Sequence, residues 1–110
     1  MPMWFKHVQA REFLFKQGEV YTLRPGKRKR DGRDTLVEGP RFGWNKLGSA
    51  NVRFIKEIWP LTPMALRPYV RKSGLPSGRA WIEAFFELNK NRKPAARAAY
   101  LYHVKLLGTG

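Results

Sequence analysis

Cysteine is absent from this chain of 110 residues. That excludes a disulfide framework, thiolate zinc sites and thiol catalysis together. Acids are scarce, with eight Asp and Glu against 22 Lys and Arg, so the net charge is +14. Histidine occurs only as His7 and His103, with no spacing that sets two ligands on one helical turn. The serines, Ser49, Ser73 and Ser77, lack the glycine-flanked elbow of a hydrolase nucleophile. No dinucleotide glycine fingerprint is present, and Gly26-Lys27-Arg28 has no following Ser or Thr to make a phosphate loop. Apolar runs stay near the length of Ala98-Ala99-Tyr100-Leu101-Tyr102, far below the roughly 20 residues of a membrane span. Met1 to Lys6 lacks the charged-then-apolar order of a signal peptide. The expectation is a soluble, cytoplasmic protein with one domain over residues 1–110, no metal or cofactor, and no membrane partner.

What is present suffices to fold. Hydrophobic residues make up 43% of the chain and aromatics 14%, too many for a disordered tail. Trp4-Phe5 with Val8 reads as a short first strand, and Ala10 to Gln17 as a helix that Gly18 ends in a left-handed conformation. Glu19 to Arg24 has the β-branched and aromatic content of a strand, with Tyr21 and Leu23 on one face and Val20, Thr22 and Arg24 on the other. Thr35 to Val37 predicts a short strand. Asn51 to Trp59 predicts a longer one, with Val52, Phe54 and Ile58 sharing a face. Thr62-Pro63 is a helix start, and Pro68 kinks or restarts that helix before Gly74 closes it. Ser77 to Asn89 predicts the clearest helix, its apolar stripe Trp81, Ile82, Phe85 and Leu88, its wet face Arg79, Glu83, Glu87 and Lys90. Ala99 to Leu107 reads as a last strand and 108–110 as a frayed tail. Strands mixed with short helices, without regular βαβ alternation, predict an α+β domain built on a small, mainly antiparallel β-barrel.

The charge is concentrated. From Arg24 to Lys46 there are eight basic and three acidic residues. Fields of this sign favour polyanions, and nucleic acid is the default partner because neutralised phosphates release counterions. Lys27, Arg28, Lys29, Arg30 and Arg33 form a basic loop that can also be read as a solvated hairpin tip, with Asp31-Gly32 as its turn. Arg24, Arg41 and Lys46 flank it, and guanidinium groups fork onto phosphate oxygens. Trp44 and Phe42 offer π-faces for an unpaired base, where the bland alternative for Trp44 is core. Thr22 and Asn45 carry groups that both donate and accept, suited to base edges.

Tyr21-Thr22-Leu23-Arg24-Pro25 before a basic loop resembles the ASCH-domain family of the PUA-like superfamily. Leu47-Gly48-Ser49-Ala50-Asn51-Val52-Arg53-Phe54-Ile55, the Ser73 to Ser77 link into a helix and the closing Tyr100 to Leu106 strand are similar to it as well, and the resemblance covers residues 8–107. It implies a PUA-like β-barrel flanked by short helices, RNA binding, and the small stand-alone archaeal type. Scarce Gln and absent Cys fit a thermophile. The family signature is G-x-K-x-x-E-x-R. With its Arg on Arg24, Thr22 stands where Glu or Thr is usual, Glu19 replaces the Lys, and Gln17 replaces the Gly, with Gly18 one position off. Some members of this length are amidohydrolases acting on N4-acetylcytidine through a Lys, a Thr and a Glu. That resemblance implies the competing reading, an N4-acylcytidine amidohydrolase with Thr22 as nucleophile and Glu19 as acid or base. Without the Lys the threonine loses its activating cation, and a nucleoside leaves +14 without a use. The expected function is therefore RNA binding, to single strands or to structured RNA with unpaired bases. A basic protein whose partner is another protein is the third class.

Overall fold

The computed structural model describes residues 3–4, 8–25, 32–38, 45–88 and 99–109. Five strands form one sheet: β1 (Met3–Trp4), β2 (Glu19–Arg24), β3 (Gly32–Glu38), β4 (Asn45–Ile58) and β5 (Ala99–Thr109). Their order is β1-β3-β4-β5-β2, antiparallel throughout except for the parallel β1–β3 contact. The fold is thus α+β with a mainly antiparallel sheet, as the element pattern predicts. Among the described residues the sheet is open, with β1 and β2 as its edges. No helix among the described residues is long and apolar enough to cross a membrane.

The helix α1 (Val8–Gln17) forms where expected, starting slightly earlier. Ala10 and Leu14, one turn apart, are its buried contacts. Gly18 stops it: at φ +83° its N–H donates to the Leu14 carbonyl at 2.7 Å, and β2 begins at the next residue. Thr62 caps α2 (Pro63–Leu66), its hydroxyl accepting from the Ala65 N–H at 3.3 Å with Pro63 at the first position. Pro68 lies between α2 and a 3₁₀ turn over Val70–Lys72. Ser77 caps α3 (Gly78–Leu88) by accepting from the Ala80 N–H. The expected Arg79–Glu83 pair closes at 3.3 Å across one turn of its wet face.

The sheet is a wall between two apolar cores. On one side α1 covers Val20, Leu36, Ala50, Val52, Tyr102 and Val104. On the other, α2 and α3 bring Leu66, Trp81 and Phe85 onto Leu23, Ile58, Ala99 and Leu101. Each fully buried Val, Leu or Ile among them contributes about 1.5–3 kcal/mol relative to exposure.

Four expectations are corrected. Ile58 does not share a face with Val52: the β4–β5 register slips between Phe54 and Lys56, and the extra residue, Ile55, turns the rest of β4 over. Thus Phe54 packs on the α1 core while Ile55 and Ile58 join the other. β2 and β3 do not form the expected hairpin, because β5 and β4 lie between them, and the basic residues 27–30 lie outside the described residues. β3 and β4 extend beyond the expected Thr35–Val37 and Asn51–Trp59, since pairing overrides the weak strand propensity of Gly32, Asn45 and Gly48. The tail expected to fray is strand through Thr109, with Gly108 opposite Ser49 and Thr109 opposite Gly48.

Candidate nucleic-acid interface

The residues singled out in sequence divide between the two faces of the sheet. Parity along β2 sets Val20, Thr22 and Arg24 on the α1 side and Glu19, Tyr21 and Leu23 on the other, as the membership of Val20 and Leu23 in different cores bears out. Thr22 lies opposite Tyr102, which lies opposite Phe54, so three strands contribute one row. Arg24 lies opposite Tyr100 in the next row toward the end of the sheet. Phe54 and Tyr102 approach to 5.6 Å between ring centroids, and Phe54 and Tyr100 to 6.4 Å. Thr22, Arg24, Phe54 and Tyr100 are half-buried, while Tyr102 is buried. This threonine, guanidinium and aromatic set stands at the end of the sheet from which the basic segment departs. Trp59 follows β4 at that same end, beyond the Ile58–Ala99 pair, and is 64% exposed.

Arg33 and Lys46 are placed elsewhere. Arg33 is exposed opposite Asn51, on the face away from α1. Lys46 is exposed opposite Val37, which parity assigns to the face that Arg33 shares. Asn45 opens β4 opposite Glu38. Lys27, Arg28, Lys29, Arg30, Arg41, Phe42 and Trp44 lie outside the described residues.

Thr22 and Glu19, the pair of the hydrolase reading, are on opposite faces and do not converge on one point. Glu19 has other partners. Its Oε1 accepts from Lys72 Nζ at 2.6 Å and lies 3.6 Å from His103 Nε2. The Lys72 hydrogen bond, reinforced by its charge and by His103, holds the Glu19 carboxyl below its ordinary range against a smaller opposing effect of burial. The same bond raises Lys72. Tyr21 completes the group, tilted against His103 at 5.2 Å and edge-on to Tyr69 at 5.1 Å.

Sequence reasoning missed Arg53, Lys105 and Lys72 as members of a surface. Each looks like an ordinary solvated cation in its own segment, and only the register joins them. Alternation sets Arg53 on the face opposite Val52 and Phe54, and His103 and Lys105 together opposite Tyr102 and Val104, the one signal available. Among the described residues no group of three or more His, Cys, Asp or Glu is placed to hold a metal ion. The chain matches no family model, no curated protein and no solved structure.

Proposed function

We propose that this chain is an RNA-binding domain of ASCH type, its sheet belonging to a PUA-like barrel. Two features support the barrel. Register slips in the β3–β4 and β4–β5 pairings bend the strands. Only residues 26–31 connect Pro25 to Gly32 across the β5–β4 pair, a span that a curled sheet shortens.

The observation that carries the function is the alignment of Thr22–Tyr102–Phe54 beside Arg24–Tyr100 where the basic segment begins. The half-buried rings of Phe54 and Tyr100 take unpaired bases, Thr22 reads base edges, and cations hold phosphates. In this reading Arg24, Lys27, Arg28, Lys29, Arg30 and Arg41 hold the backbone and Trp44 and Phe42 stack, while Arg33 and Lys46, on the other face, are not part of this site. Trp59 adds an exposed indole to the stacking set.

The test is fluorescence anisotropy with a single-stranded RNA across a salt series. Each neutralised phosphate on a single strand contributes a log–log slope of about −0.7, so four contacts give about −3. Changing Lys27, Arg28, Lys29 and Arg30 together to Ser should flatten the slope by about that amount. A wild-type affinity indifferent to salt, or a variant with unchanged slope, sinks the reading.

A further inference from the structure

The face of the sheet away from α1 is only half covered. Leu23, Leu101 and Ile58 lie under α2 and α3. Beyond them the face is polar and reaches water. Register across four strands builds one row from Arg33 (β3), Asn51 (β4), Lys105 (β5) and Glu19 (β2), and a second from Arg53, His103 and Tyr21. Arg33, Asn51, Arg53 and Lys105 are all exposed, whereas the alternate positions Asp34, Val52 and Val104 are buried.

Three cations therefore surround Asn51. Strand spacing puts the backbones of Arg33 and Lys105 about 10 Å apart, with Arg53 about 7 Å along β4 from Asn51. Glu19 is the one acid in these rows, and Lys72 and His103 engage it. No carboxylate among the described residues pairs with Arg33, Arg53 or Lys105. Like charges on adjacent strands repel, so a surface that gathers three of them beside one acid already engaged by Lys72 and His103 is fitted to an anion that spans them. Half-buried rings, Tyr21 and His103, border the cations. Thr35 and Ser49, paired one row further on, add hydroxyls beside the Asn51 amide.

We infer that this face is a second nucleic-acid surface, on which a single strand crosses β3, β4 and β5 with its phosphates on Arg33, Arg53 and Lys105. Cations beside rings, hydroxyls and an amide suit an unpaired strand, since a purely acidic partner has no use for the rings. A wide, exposed sheet face is also the shape on which splayed bases lie. The inference rests on RNA as the partner but not on the Thr22–Arg24 site, which lies through the sheet.

The experiment uses the full chain and a labelled oligouridylate of about ten nucleotides. Changing Arg33, Arg53 and Lys105 together to Ala should make the salt slope shallower by about 2, three contacts at about 0.7 each. If binding at 1 M salt is unaffected, that slope lowers affinity about a hundredfold at ~0.1 M. A charge-matched control, Lys16, Arg67 and Arg79 to Ala, removes the same charge elsewhere and should leave the slope nearly unchanged. Amide shifts of wild-type Asn51, Arg53 and Lys105 should move during the titration, a readout that needs no variant. Equal losses in both triple variants would reduce the effect to diffuse charge and overturn the inference. Unchanged binding by the Arg33/Arg53/Lys105 variant would overturn it while the proposed function stands. Polyglutamate displacing the RNA at equal charge concentration would assign the face to acidic proteins instead. Failure of the wild type to bind any RNA overturns both proposals.

Discussion

Glu19 illustrates what a single side chain contributes here. A lysine reaches it from far along the chain, with Lys72 Nζ 2.6 Å from its carboxylate. Because its folded value lies below the ordinary 4.5, its contribution to stability is complete above that pH and is lost as pH falls through the lowered value. Lys72 behaves in the opposite sense: its contribution is complete below 10.5 and is lost as pH rises through its raised value. Both groups meet solvent, which keeps the effect small. Glu19→Gln should therefore lower the melting temperature slightly at pH 7 and by less at pH 3. Melts at both pH values decide this. An undiminished difference at the acid end would show that the carboxylate acts by packing instead of charge. The residue also explains why the hydrolase reading lacks a centre, since a strand that turns Thr22 toward α1 turns Glu19 toward Lys72.

At the scale of elements, the signals that were legible were local ones. Gly18, Thr62-Pro63 and the Trp81–Phe85 stripe each state a boundary or a face through the conformational preference of a few neighbouring residues, and each is where it was expected. What could not be read was pairing. The slip that inserts Ile55 depends on β5, and nothing between Asn51 and Trp59 marks it, so Ile58 seemed to face with Val52. The same blindness kept Arg33, Arg53 and Lys105 apart, although Thr22 and Arg24 were correctly put on one face because they belong to one strand. Gly74 shows how a local signal can carry a distant contact. Sequence marks it as the end of a helix. In the structure its φ is +81°, and a Cβ there would stand 2.9 Å from the Gln9 carbonyl and from Phe13 Cβ. The buried Ser73 hydroxyl donates to the Val70 carbonyl at 2.8 Å and accepts from the Leu75 N–H at 3.1 Å, fixing the turn around it. Gly74→Ala should cost about 1–3 kcal/mol through the backbone alone, with the clash against α1 adding to it. That lowers the melting temperature by several degrees in a domain of this size. A variant as stable as wild type would mean that α1 shifts aside freely.

For the molecule as a whole, the two cores are not independent. Leu101 and Tyr102 are successive residues of β5, both fully buried, and they belong to different cores. Neither core can open without disturbing the strand that the other is built on, so the molecule should melt in one transition. The clock for this is proton exchange with solvent. Amides in the middle of β5, flanked by β2 and β4, should exchange last and only through complete unfolding, whereas β1 at the sheet edge and the short 3₁₀ turn should exchange through smaller openings. Finding Leu101 and Val104 to exchange at widely different rates would divide the molecule into two separately opening halves. A shared wall also carries a message between its sides. An RNA strand lying against Arg53 and Lys105 would slow the exchange of amides whose side chains face α1, so occupancy of one surface would be readable on the surface it never touches.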